Sequence, residues 1–104
     1  MTTMNKPEQI MKFQPLMELF ESLIQTHDIM IHRGSDGSTN VTTVQPDING
    51  NKLILSDKVE GRKLSPSAVI IPAPCFVSII NDTMTINRVS ENLKYKVSLK
   101  SKEL

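Results

Sequence analysis

The chain has 104 residues, 38% of them hydrophobic and 22% charged, with one cysteine, six methionines and no tryptophan. A chain of this length fits a single domain, 1–104, that buries roughly two-thirds of its unfolded surface, and its apolar share excludes a disordered chain. The formal net charge of +1 excludes the strong field of a highly basic nucleic-acid binder, although residues 1–52 carry four Lys/Arg against six Asp/Glu and residues 53–104 eight against five.

Leu16, Leu19, Phe20, Leu23 and Ile24 recur at three- and four-residue spacing and form one apolar stripe, which predicts a main helix over about 15–26 with Pro15 in its first turn. A proline disfavours helical angles in the residue before it, here Gln14. The stretch from Lys6 to Phe13 is therefore expected to be a separate short helix or a kinked extension.

The β region is expected over about 28–100. Ile29 and Ile31 alternate with Met30 and His32, and the turn-rich run from Gly34 to Ser38 predicts a hairpin into a strand from Thr39 to Val44 that Pro46 ends. Asn-Gly within Asp47-Ile48-Asn49-Gly50-Asn51 signals a second hairpin, into Leu53-Ile54-Leu55. Ser56 to Ser65 carries five charges in ten residues and reads as a solvated loop. Ala68 to Ile71 suits a strand buried on both faces, and the prolines of Pro72-Ala73-Pro74 mark a bend or an edge before Cys75 to Ile80. Asn81-Asp82 is a tight turn to Thr83–Val89, and Ser90-Glu91-Asn92 separates that strand from the last, Leu93 to Leu99. The fold class is α+β: an N-terminal helix followed by a mainly antiparallel sheet of five to six strands, as a small barrel or sandwich.

No run approaches the ~20 apolar residues of a membrane span, and no apolar core follows the first residues as in a secretory signal. The lone Cys75 agrees with a reducing compartment, so the expected location is cytoplasmic, without membrane contact. Cys75 stands between Pro74 and Phe76, where a thiol is expected to be a core residue with a raised pKa. The methionines Met11, Met17, Met30 and Met84 either fill core gaps or line an adaptable surface.

No catalytic constellation stands out. His27, Asp28 and His32 gather at the helix-to-strand junction, but two histidines and one cysteine are too few for a closed zinc site. A calcium loop beginning at Asp47 would need Glu at its twelfth position, where Lys58 stands. Neither GxxxxGK nor GxGxxG is present. The expectation is a non-enzyme with no cofactor and no metal.

The most pointed pattern is C-terminal. At a two-residue period Lys94, Lys96, Ser98, Lys100 and Lys102 fall on one face of a strand, and Tyr95, Val97, Leu99 and Ser101 on the other. Such lysines suit an edge strand protected against aggregation. The functional alternative is an electrostatic face for phosphate or an acidic protein.

Asp47 and Asn51 before Leu53 and Leu55, and the apolar positions of Ile71-Pro72-Ala73-Pro74-Cys75-Phe76 with Ile79, give the region 15–80 a pattern that resembles the Sm-like fold of the Hfq and Sm proteins. Pro-Ala stands where that family's second motif has Arg-Gly. The resemblance implies a small bent barrel closing into a ring, with Asp47 and Asn51 at a nucleotide pocket.

These observations lead to a non-enzymatic binding or assembly module acting through a protein-protein surface or self-association, the profile of small bacterial or phage accessory and inhibitor proteins. The alternative is a Sm-like or basic-face RNA- or DNA-binding oligomer, using Lys94, Lys96, Lys100, Lys102, Asp47 and Asn51.

Overall fold

The computed structural model describes residues 4–32, 37–57, 68–88 and 94–102. Among them one helix and nine strands follow in the order β1 (Lys6–Met11), α1 (Phe13–Thr26), β2 (His27–His32), β3 (Ser38–Val41), β4 (Thr43–Asp47), β5 (Lys52–Ser56), β6 (Val69–Pro72), β7 (Cys75–Ile80), β8 (Thr83–Arg88) and β9 (Lys94–Ser101). A six-stranded sheet has the order β1-β7-β8-β9-β2-β3 and a three-stranded sheet the order β4-β5-β6, and all seven ladders are antiparallel.

The expected five to six strands become nine for two reasons. Two long strands break at corners: β3 passes into β4 across Thr42, and β6 into β7 across Ala73-Pro74. With each bent pair taken as one strand, β2, β3/β4, β5, β6/β7, β8 and β9 pair each with the next, and β9 pairs back onto β2. The ladders thus form a closed circuit through both sheets. Backbone bonds from the Thr42 N–H to the Ser56 carbonyl and from the Ala73 N–H to the Asn51 carbonyl, both 2.9 Å, carry the pairing of β5 up to each corner.

The second reason is β1, which precedes the helix and corrects the expectation of helix over Lys6–Phe13. Pro7 cannot donate to a ladder, and β1 is an edge strand whose register on β7 shifts between Lys6 and Gln9, where a proline is tolerated. Asp82 Oδ1 accepts from the Met4 N–H at 2.6 Å and Asn5 Oδ1 from the Asn81 N–H at 2.9 Å. Pairing with β7 and these anchors outweigh the weak helical propensity of the segment.

Helix α1 starts two residues ahead of Pro15 and includes Gln14. In the first turn no preceding helical carbonyl clashes with the proline ring. Leu16, Met17, Phe20 and Leu23 are its buried residues, and the helix packs on β2, β4 and β5. Full burial of Leu16, Phe20 and Leu23 contributes about 1.5–3 kcal/mol each before entropy. The same core continues through Ile29, Ile31, Leu53, Leu55, Ile71, Val77, Ile79, Met84, Ile86 and Val97. After Thr26 the backbone becomes extended at His27 (φ −136°, ψ 151°) and runs into β2 without a loop. The Lys102 backbone N–H donates to the Thr26 carbonyl, and its ammonium to the Ile24 carbonyl, each at 3.0 Å, so the residue after β9 satisfies carbonyls at the helix end.

Pro46 lies inside β4 rather than ending a strand, which an edge strand permits. The run Val69–Ile71 is not buried on both faces: Ile70 is 52% exposed while Val69 and Ile71 are buried, because only one face of β6 turns to the core. The β4–β5 hairpin closes through a short 3-10 turn, Ile48–Gly50, with the left-handed backbone at Asn51 (φ 51°) rather than at Gly50. Asn81 and Asp82 have φ 49° and 63°, the two positive values that a tight β7–β8 hairpin of the I′ kind requires. The Gly34–Ser38 turn at positions 34–36, the charged loop from position 58 onward, Val89, and the break and strand start at 90–93 lie outside the described residues. The β2–β3 pairing from His32↔Ser38 onward nevertheless makes that hairpin.

Candidate binding surface

Cross-strand partners share a face of a sheet, so the register lays out the outer face of the six-stranded sheet row by row. Ile10, Phe76, Asn87 and Lys94 form one row, and Ser78, Thr85, Lys96, His32 and Ser38 the next. Ile80, Thr83, Ser98, Met30 and Asn40 make a third, and Lys100 stands opposite Asp28. None of these residues is buried. Helix α1 packs on the opposite, apolar side of β2, where Ile29 and Ile31 lie.

The lysine pattern takes on a different meaning here. Strand β9 lies between β8 and β2, so it is an interior strand, and protection of an edge does not explain its lysines. Lys94, Lys96 and Lys100 project from the middle of an exposed face, neighbours two apart being about 6.6–6.8 Å apart along the strand. Lys102 does not join them, since its ammonium is bound to the end of α1. Asp47 and Asn51 are on the other sheet: Asp47 Oδ1 accepts from the Gly50 N–H at 3.3 Å, and the Asn51 carbonyl from Ala73. The structure therefore gathers three of the six candidate residues.

Large apolar side chains share this face with the lysines. Ile80 is 65% exposed and Ile10 58%, both on the β1/β7 side, and Met30 lies on β2 across from Ser98. Sequence reasoning missed Ile10 because its segment was expected to be helical, and Ile80 because it ends a strand whose other residues read as core. Of the four methionines expected to fill gaps or line a surface, Met11, Met17 and Met84 are buried and Met30 is exposed.

His27 and His32 sit at opposite ends of β2, about 16–17 Å apart along the strand, and an odd separation puts them on opposite faces. His27 Nδ1 hydrogen-bonds Thr26 Oγ1 at 2.7 Å and His32 Nε2 the Ser98 hydroxyl at 2.9 Å. The two rings share no site, and among the described residues no group of three or more His, Cys, Asp or Glu is placed to hold a metal. Cys75, the first residue of β7, is buried, and loss of hydration pushes its thiol up to about 11, with the Arg88 guanidinium opposing only part of that rise. No described helix is long and apolar enough to cross a membrane. Comparison with family models, with curated proteins and with solved structures finds no match to this chain.

Proposed function

We propose that the protein is a non-enzymatic binding or assembly module, working in the cytoplasm, that engages an acidic protein surface through the outer face of its six-stranded sheet. The observation that carries this reading is the position of Lys94, Lys96 and Lys100 on an interior strand, on a sheet face that also exposes Ile10, Ile80 and Met30. A protein interface combines these two elements: apolar anchors give affinity, and surrounding charge sets orientation and association rate. The test is capture from extracts of the source cells by the parent chain, by Lys94→Glu/Lys96→Glu, and by Lys12→Glu/Lys52→Glu, which makes the same charge change elsewhere. A partner retained by the parent and the control but lost by the face variant supports the reading. Retention by all three overturns it.

The same lysines support a second reading, a nucleic-acid-binding oligomer of the Sm-like kind. Its phosphate contacts would make affinity fall steeply with salt, whereas one Tyr and three Phe leave little for base stacking. Light scattering coupled to size exclusion, with absorbance at 260 and 280 nm, separates the two. A six- or seven-fold ring carrying nucleic acid favours this reading, and a protein-only monomer or dimer removes it. RNA binding unchanged on replacing Lys94, Lys96, Lys100 and Lys102 by Gln would also defeat it.

A further inference from the structure

The lysine face is not uniform along β9. Lys100 stands opposite Asp28, so its charge is met across the strand pair. The Leu99 N–H bonds the Asp82 carbonyl, which puts a second carboxylate-bearing residue at the same end. The other end differs: Lys94 is opposite Asn87, and Lys96 lies between Thr85 and His32, so neither lysine faces a carboxylate across the ladder. Within the strands of this sheet the only other described carboxylate is Glu8. It is on β1, three strand spacings or about 14 Å from β9. The unopposed positive charge is therefore at Lys94 and Lys96.

An apolar pair lies in the same row. Phe76 is half-buried and pairs with Ile10, which is 58% exposed. Phe76 is two strands from Lys94 and Ile10 three, or about 9–15 Å across the face. An extended chain presents side chains to one side at every second residue and covers about 13 Å in four residues. An acidic residue over the lysines thus brings the residue four positions away over Phe76 and Ile10. Lys94 and Lys96 are about 6.7 Å apart along the strand, so two flexible ammonium stems converge on one carboxylate between them. The reversed placement would set that carboxylate beside Glu8, so charge selects the orientation.

We propose that this end of the face takes an extended acidic segment of a partner protein, with a carboxylate held between Lys94 and Lys96 and a large apolar side chain four residues away on Phe76 and Ile10. The proposal rests on the acidic-partner reading above and narrows it to a match at two points with a fixed spacing. Lys100, offset by Asp28, takes no part in it.

Two-dimensional amide NMR spectra of the full chain, titrated at constant ionic strength, provide the test. The spaced probes are acetyl-Glu-Ser-Gly-Ser-Leu-amide and acetyl-Leu-Ser-Gly-Ser-Glu-amide, one for each chain direction. The control, acetyl-Ser-Gly-Ser-Glu-Leu-amide, has the same composition with the two groups adjacent, and pentauridylate is the nucleic-acid probe. The expected result is saturable shifts at the amides of Phe76, Asn87, Lys94 and Lys96 with one spaced peptide. Its dissociation constant should be of order millimolar and about threefold or more below that of the control. Lys94→Gln/Lys96→Gln should weaken binding about fivefold and Lys100→Gln by less than about twofold. Ile10→Ser should weaken it about threefold, with the rest of the spectrum retained in every variant. Equal affinity for spaced and control peptides, no saturation by either spaced peptide, a Lys100→Gln loss as large as that of the double variant, or tighter binding of pentauridylate overturns the proposal. A partner still lost in the Lys94→Glu/Lys96→Glu capture would then show that only the spacing has failed, whereas a partner retained there removes the acidic-partner reading itself.

Discussion

Asp82 offers the sharpest test of how the turn and the N-terminal segment hold together. Its carboxylate accepts from the Met4 N–H at 2.6 Å, its N–H donates to the Met4 carbonyl at 3.2 Å, its carbonyl accepts from the Leu99 N–H at 2.9 Å, and its backbone has φ 63°. The two backbone bonds survive any side-chain change, so a substitution series separates the carboxylate bond from the cost of left-handed backbone. Losing a charge-assisted bond in a half-buried site costs about 1.5 kcal/mol, and placing Ala in that backbone costs about 1 kcal/mol beyond Asp. Asp82→Ala is therefore expected to destabilise by about 2.5 kcal/mol, against a total of roughly 5–15 kcal/mol for a chain of this size. Asp82→Gly recovers the backbone cost but adds unfolded-state entropy, leaving about 1–2 kcal/mol. Asp82→Asn keeps both an acceptor and tolerance of positive φ and should lose about 0.5–1 kcal/mol. Urea unfolding at constant slope measures all three, and hydrogen exchange at the Met4 amide reports the same bond locally. Equal losses for Ala and Gly would refute the backbone contribution, and an Ala loss of only about 1 kcal/mol with Asn unchanged would refute the carboxylate bond.

Because β9 is interior, replacing Lys94, Lys96 and Lys100 together by Thr should leave the chain free of aggregation by light scattering, with each change within about 0.5 kcal/mol; aggregation would mean that the strand behaves as an edge. Phe20→Ala should cost about 3–5 kcal/mol by thermal or urea unfolding, and a loss below about 1 kcal/mol would place Phe20 outside the core. Native Cys75 should resist Ellman's reagent at pH 8 and react on unfolding. Its pKa is raised on folding from 9.0 to about 11, so the thiol favours the folded state fully below pH 9, and stability is lost as pH rises through 11. Cys75→Ala should remove that part of the pH dependence, and parent and variant curves that stay parallel from pH 8 to about 11 would contradict it.

The elements most legible in the sequence were those set by local chemistry. The apolar stripe of α1, the paired turn residues Asn81-Asp82 and the alternation along β9 each rest on neighbours within a few positions. The errors came from long-range pairing. Nothing near Lys6–Met11 signals that β7 waits some seventy residues later, and a strand's place inside a sheet or at its edge is invisible to a period-two pattern. Such a pattern puts Lys94, Lys96 and Lys100 on one face but does not separate a protected edge from an exposed interior strand, and it makes Pro46 read as a strand end although the proline lies inside β4. Lys102 continued the alternation by arithmetic, but its ammonium found the carbonyl of Ile24.

The closed circuit of ladders also bears on the order in which the molecule folds. From β3 to β9 every ladder joins elements close in sequence, such as Ile54↔Ile70 and Ile86↔Tyr95. The two distant ladders, Met11↔Cys75 on β1 and Ile29↔Leu99 on β2, both belong to the strands that flank α1. Closing about 70 residues rather than about 10 costs roughly 1.7 kcal/mol more in chain entropy. The meander therefore has the cheaper route to structure, and the segment β1-α1-β2 clasps it afterwards, one strand on each side. Destabilising changes within β7–β9 should then slow folding, and those within β1-α1-β2 should chiefly speed unfolding.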